Sequence, residues 1–229
     1  QRTYRYLDLV MVAFVVVLVC SNLIGPAKAA TLDLPLIGAV TFGAGVLFFP
    51  VSYVFGDILT EVYGYARARR VIWTGFAALA FASVMAAVIV VLPPAPGWEN
   101  QKVYEIAFGN TWRVAGASMI AYFCGELVNS YVLARMKVAT EGRYMRTRFV
   151  ASTVAGEAVD SALFYPLAFW NSGIMPNELV ATLVVSQFVA KTAVEVAFLP
   201  LTTRIVAALK RAENEDHFDR DTDFNPFRV

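Results

Sequence analysis

Three six-residue stretches carry the residues most able to do chemistry: "GDILTE" at 56–61, "GELVNS" at 125–130 and "GEAVDS" at 156–161. Each runs glycine, acid, two mainly aliphatic positions and two polar ones. On a helix, positions i, i+3 and i+4 share a face. Asp57, Thr60 and Glu61 therefore align, as do Glu126, Asn129 and Ser130, and Glu157, Asp160 and Ser161. Further on, Gln187, Lys191 and Glu195 stack at i, i+4 and i+8. Four helices thus present one polar stripe each. Carboxylates in such stripes can accept a pair of hydrogen bonds, neutralise a cation, or carry a proton.

What makes these stripes unusual is their surroundings. The 229 residues are 58% hydrophobic and only 16% charged, a balance foreign to ordinary soluble domains. Apolar runs recur at 6–24, 36–59, 71–92, 114–134, 149–170 and 179–204, each long enough to cross a hydrocarbon core of about 30 Å. The expected fold is an all-α polytopic membrane protein, a single domain over 1–229 with six transmembrane helices. Runs such as "VMVAFVVVLV" are apolar all round, which excludes the alternation of a transmembrane β-barrel. Pro50 in the second run predicts a kink or break near Val46–Pro50. An interfacial helix is expected at Glu99–Phe108, and residues 212–229 read as a short, acidic, poorly ordered cytoplasmic tail.

Charge distribution orients the chain. With the N-terminus inside, fifteen Lys and Arg residues fall on the cytoplasmic side, among them Arg67, Arg69, Arg70, Lys137, Arg148 and Lys210. Three, Lys28, Lys102 and Arg113, fall opposite. That asymmetry places both termini in the cytoplasm. It also requires the first span to be retained rather than cleaved as a signal peptide. The chain opens on Gln1 rather than Met, so an initiating segment is expected ahead of it. The nineteenth cation, Lys191, lies inside the sixth span.

An ionised side chain at the bilayer centre costs at least about 2.5–3.5 kcal/mol, and such residues turn to the bundle interior and pair. Lys191 can neutralise one acid, most simply Glu195 or Glu157. Glu126, Asp160, Asp57 and Glu61 are then left without a cation among the spans. A purely structural network is the alternative, but interhelical hydrogen bonds contribute only about 0.6–2 kcal/mol each. A solute-binding cavity accounts better for so many acids. Enzymatic chemistry is not supported: the single histidine, His217, is in the tail, and no HExxH, GxSxG or phosphate-binding GxxxxGK[ST] occurs. Cys20 and Cys124 lie in apolar runs without metal-ligand spacing. No cofactor or metal is expected. A net charge of +1 gives no field for nucleic acid.

"FFPVSYVFGDILTEVYGYARARRVIW", "CGELVNSYVLARMK", "GEAVDSALFYPLAF" and the closing "TDFNPF" resemble the sequence blocks of the queuosine precursor transporter family, formerly the vitamin uptake transporter family. The resemblance covers nearly the whole chain. It implies six helices related in fold to the substrate-binding subunits of energy-coupling-factor importers, and uptake of 7-cyano- or 7-aminomethyl-7-deazaguanine. The first span has no AxxxA run of the kind many of those subunits dock through, which favours a secondary carrier over a subunit of an ATP-driven importer. A non-transporting membrane scaffold is the remaining alternative. The partners implied are membrane lipid, a small 7-deazapurine and, as an option, a second copy of the chain. Aromatic rings that can stack on such a purine are Phe48, Phe49, Tyr53, Phe164 and Trp170. Glu126, Asn129, Glu157, Asp160 and Lys191 are the expected centre of the site.

Overall fold

The computed structural model describes residues 4–24, 29–34, 38–43, 49–109, 112–173 and 176–228. Seven helices and one strand pair make up its regular structure. Helix α1 spans Leu7–Leu23. Strands β1 (Ala29–Leu34) and β2 (Gly38–Gly43) pair antiparallel, with Thr31 opposite Thr41. Helix α2 runs Phe49–Ile58 and passes into a π-helical turn, Leu59–Tyr63. Then come α3 (Tyr65–Val91), α4 (Gln101–Phe108), α5 (Trp112–Ala139), α6 (Met145–Phe169) and α7 (Asn177–Glu213).

Five of the six expected spans correspond to helices at nearly the expected positions, and α4 falls where the interfacial helix was expected. The second does not begin at 36. Residues 38–43 are strand, and the helix starts at Phe49. Gly38 and Gly43 bracket an apolar run too short for its periodicity to distinguish strand from helix. The kink or break expected near Val46–Pro50 lies largely outside the described residues, which resume at Phe49. A π-helical turn that carries Glu61 follows α2. Helix α7 continues nine residues past the expected end at 204, and at 37 residues is about 56 Å long.

Two helices, Tyr65–Val91 and Asn177–Glu213, are long and apolar enough to cross a membrane, and only 11% of the most apolar window in each is buried. Low burial separates them from the core helices of a soluble protein. On α3, Phe81, Val84, Val88 and Ile89 are exposed side by side at helical spacing. Helix α1 is a shorter apolar helix. In its last turn the polar side chains fold back onto the backbone: Ser21 Oγ and Asn22 Nδ2 both donate to the Leu18 carbonyl at 2.9 Å.

Helices α5 and α6 form the most closely packed pair. A Cβ on Gly125 would lie 3.0 Å from the Gly156 carbonyl, and one on Gly156 would lie 2.8 Å from Asn129 Cβ. These two glycines, each directly before an acid, let the backbones approach and bring the two polar stripes together. Around that pair, α2 touches α1, α5 and α7, while α3 packs on α1 and α5. The apolar core, including Phe14, Leu18, Ile58, Leu59 and Phe149, fills the space between.

The tail is docked rather than poorly ordered. Both carboxylate oxygens of Asp219 accept the Tyr65 N–H at 3.0 Å, at the start of α3, where backbone donors would otherwise be unpaired. Arg69 donates to the carbonyls of Asp223 and Asn225, and Trp73 Nε1 to that of Pro226 at 2.8 Å. Phe224 packs against Tyr65 and Tyr131. Gly64, at φ 86°, ends the π-helical turn so close to His217 that a Cβ would meet its ring at 2.1 Å. Acidic composition suggested disorder, but these acids and carbonyls have specific donors across the chain.

Candidate functional site

The polar stripes of α2, α5, α6 and α7 separate into two buried centres. The first surrounds Glu61, which is fully buried. Arg148 donates to its Oε1 at 2.9 Å and Lys210 at 2.6 Å, while Lys137 Nζ stands 3.6 Å away. Lys137 also donates to the Glu61 carbonyl at 2.7 Å, to the His217 carbonyl at 2.7 Å and to Asp216 at 2.5 Å. Lys210 reaches Asp216 at 2.8 Å. Partial burial works to raise the Asp216 pKa. Its hydrogen bonds to Lys137 and Lys210 outweigh that and hold it below the usual 3.8. Glu61 was expected among acids without a cation. The structure corrects this: three cations counted on the cytoplasmic side reach it from α5, α6 and α7. Beside it, Thr60 Oγ1 donates to Ser130 Oγ at 2.9 Å, so Ser130 staples α5 to the π-helical turn.

The second centre lies further into the bundle. Asp57, Glu126, Glu157, Asp160 and Glu195 are all at most 6% exposed. Tyr53 is close enough to interact electrostatically with Glu126, Glu157, Asp160 and Glu195, and Glu126 with Asp57, Glu157 and Asp160. Among the described residues, the cation these five carboxylates meet is Lys191. It donates to Asp160 Oδ2 and stands 3.6 Å from Glu157. That distance is within ion-pair range but long for a hydrogen bond. Asp160 was expected to lack a cation and is instead the principal partner. Glu195, one turn along α7, is not paired with Lys191; it lies beside Thr153 and faces Asp57, Glu157 and Glu126. Asn129 Nδ2 donates to Asp57 Oδ1 at 3.0 Å.

Glu126 has no solvent exposure, and neither carboxylate oxygen has a hydrogen-bond partner; the buried Glu195 shares that lack. Its Oε1 would lie 1.7 Å from a Cβ on Gly56, so the missing side chain at Gly56 is what admits the carboxylate between α2 and α5. Asn129 Oδ1 is likewise buried without a donor. Two unsatisfied acceptors one turn apart on α5 face a set of acids that cannot supply donors while ionised.

At the other end of the bundle a cavity of about 400 Å³ opens between α1, α3, α4 and α5. Apolar side chains including Leu79, Trp112, Met119 and Phe164 line it. Its polar edge is Asn22 and Ser118, joined by a 2.9 Å hydrogen bond. From Ser118 the same stripe of α5 continues through Tyr122 to Glu126 at one-turn intervals.

Of the residues expected in the site, Tyr53, Asp57, Glu126, Asn129, Glu157, Asp160, Lys191 and Glu195 come together. Glu61 and Ser130 belong to the other centre. Gln187 is half-buried on α7, two turns from Glu195. Phe164 lines the cavity and packs on Tyr165 and Phe169. Trp170 is exposed at the end of α6. Phe48 lies outside the described residues, as does the side chain of Phe49. Tyr122 was missed, although it sits one turn before Glu126 on the same face. Tyr165, near both Lys191 and Asp160, was missed also.

The sequence profile of the family described as "Putative vitamin uptake transporter" matches residues 43–205, which include the second centre and, of the first, Glu61, Lys137 and Arg148. The chain belongs to this family. It is therefore placed with transporters and not with enzymes. Among curated relatives, the "Probable queuosine precursor transporter" of Bacillus subtilis (strain 168) is 28% identical over 173 residues, 75% of this chain and 71% of that protein. The "Queuosine precursor transporter" of Escherichia coli (strain K12) is 29% identical over 130 residues, 56% of this chain and 55% of the relative. A "Probable queuosine precursor transporter" of Haemophilus influenzae is 27% identical over 131 residues, 56% of this chain and 52% of the relative. The chain thus spans about half the length of the latter two. No solved structure matches it significantly.

Proposed function

We propose that this chain is a multi-pass inner-membrane uptake transporter for queuosine precursors, working as a secondary carrier, with Glu126, Asn129, Glu157, Asp160 and Lys191 as its midplane site. The observation that carries this reading is the Glu126 carboxylate, buried with both oxygens unpartnered. A buried acceptor left unsatisfied costs about 1–3 kcal/mol, more when charged, so such a group implies an absent donor. The names of the curated relatives supply the chemical class of that donor.

A 7-deazaguanine presents its ring N1–H and 2-amino group side by side. A carboxylate accepts that pair as it accepts other parallel donors. In 7-aminomethyl-7-deazaguanine an ammonium is added, which would compete with Lys191 for Glu157 and Asp160. Tyr53 and Tyr122, both buried beside Glu126, offer faces on which the planar ring can stack. The charge-paired Glu61 centre with the docked tail closes one end of the bundle, and the cavity opens at the other. That asymmetry fits a site reached from the cavity side. With both termini cytoplasmic, that side is periplasmic. A cysteine placed at 98–105 then reacts with impermeant maleimide from outside, and one at 138–142 does not.

The test is uptake of radiolabelled 7-cyano-7-deazaguanine by proteoliposomes containing the purified chain alone. Saturable uptake, competed by the 7-aminomethyl form, is expected. Uptake only with a nucleotide-binding partner and ATP would assign the chain to an ATP-driven importer, and absence of uptake under both conditions would make it a scaffold.

A further inference from the structure

We propose that ligand and proton compete for the Glu126 carboxylate, so that each ligand bound displaces about one proton. The inference rests on the ligand site assigned above and concerns how that site is charged when empty. Five buried carboxylates (Asp57, Glu126, Glu157, Asp160 and Glu195) meet one ammonium among the described residues, that of Lys191. Lys191 is committed to Asp160, with Glu157 next. Asp57 has only the neutral Asn129 amide, and Glu126 has no hydrogen bond at all. Three uncompensated carboxylates in one desolvated space cannot all be ionised, because burial and like charge both favour the neutral acid. The empty site therefore holds protons.

Every element packed around Glu126 reinforces this. From α2 it faces Asp57 and Tyr53, and on α5 itself Tyr122 and Asn129. From α6 it faces Glu157 and Asp160, and from α7 Glu195, with Lys191 held at Asp160. None of these brings Glu126 a cation of its own. Nor is there room for a metal ion against Gly56, where Glu126 Oε1 already occupies the place of the absent Cβ. A proton needs no such room.

A 7-deazaguanine edge offers only donors to this carboxylate. A protonated acid has one oxygen occupied by hydrogen, so accepting both ligand donors requires the proton to leave. The balance is simple: the Glu126 O–H bond breaks, two N–H···O bonds form, and the proton passes to solvent. Glu195 and Asp57 act as positioning residues, since their proximity sets how firmly Glu126 keeps its proton.

Equilibrium binding of 7-cyano-7-deazaguanine, neutral at the ring substituent, tests this on the purified full chain in detergent. Affinity for the parent is expected to rise about tenfold per pH unit until Glu126 is fully ionised. Calorimetry in buffers of different ionisation enthalpy should report release of about one proton. Glu195→Gln removes one neighbouring acid at constant shape. It should keep binding at high pH but move the profile down by about one pH unit, a tenfold change in proton affinity. A purely structural Glu195 would leave the profile in place. Binding by the parent that is flat with pH, or an unmoved profile in Glu195→Gln, overturns the competition while leaving the ligand assignment standing. No binding at any pH overturns the ligand assignment and this inference with it.

Discussion

Glu61 and Glu126 are the same residue type, equally buried, and each belongs to a glycine-led polar stretch of nearly the same pattern. Their surroundings differ completely. Glu61 meets Arg148, Lys210 and Lys137 within 3.6 Å. Glu126 meets no donor. A buried charge paired with three cations through one oxygen holds its neighbours in place, although Glu61 Oε2 itself has no hydrogen-bond partner. A buried carboxylate with no cation is costly to the protein alone and becomes favourable only when something else arrives. On the proposed function, the contrast separates a structural tie from the proposed binding site without appeal to position in the chain.

The largest effect expected from breaking this contrast is at Glu61. Glu61→Leu keeps the volume but leaves Arg148, Lys137 and Lys210 facing one another, and breaking a buried ion pair from one side costs about 3–5 kcal/mol. A large fall in the thermal unfolding midpoint in detergent is expected, with ligand affinity unchanged in whatever remains folded. Unaltered stability would show that the three cations find other partners.

Lys191 comes next, because it is the one point where the open centre resembles the closed one. Lys191→Met leaves Asp160 and Glu157 without their cation. The loss is expected to be about 3 kcal/mol, at the lower end of the same range because the lysine side chain stays 18% exposed. Uptake should be lost as well. Adding Asp160→Asn should restore abundance on immunoblot but not uptake, which separates the pairing from the transport role. Full abundance in the single variant would show that Lys191 reaches solvent instead.

How far the sequence revealed these two centres depends on distance along the chain. The stripes were legible because helical periodicity aligns residues three and four apart, and Glu126, Asn129, Glu157 and Asp160 are found converging as the spacing implied. The Glu61 centre was not. Arg148, Lys137 and Lys210 are 87, 76 and 149 positions away, and each counts in sequence as a cation on the cytoplasmic side. Their long side chains cover the gap between helix end and buried acid, which no local pattern records. The strand at 38–43 was missed for the opposite reason: its pattern is too short for a period. The role of the glycines was half-visible. The repeated glycine–acid pairs were apparent, but only the crossing of α5 on α6, and of Glu126 on Gly56, shows what a Cβ would meet there.

At the open centre the expected signature is reversed: binding suffers and stability does not. Glu126→Gln keeps the shape and swaps an acceptor for a donor. Ligand affinity should fall tenfold to hundredfold, about 1–3 kcal/mol, while the unfolding midpoint stays level or rises. Gly56→Ala sharpens this further. Its Cβ would sit 1.7 Å from Glu126 Oε1, but the obstacle is the end of a flexible side chain, which can swing aside. Roughly tenfold weaker binding, about 1.4 kcal/mol, with folding intact is expected. A midpoint that falls as it does in Glu61→Leu would erase the distinction between the two centres.

The smallest effect belongs to Asp216, the rim of the closed centre. It bridges Lys137 and Lys210 while its own side chain is 48% exposed. Its folded pKa lies below the usual carboxylate value, so its contribution is complete above about pH 5 and is lost as pH falls through the folded value. Solvent screening keeps that contribution under about 1 kcal/mol. In the parent the unfolding midpoint should therefore drop between pH 5 and pH 3 by slightly more than in Asp216→Asn, which has no charge to lose there. At neutral pH the same variant should loosen the tail locally. Faster amide hydrogen exchange is expected at Tyr65, whose N–H is held by Asp219 three residues after Asp216, and little change at Glu126 on α5. If exchange at Tyr65 is unaltered, the Asp219 contact does not depend on Asp216, and the closed centre ends at Lys210.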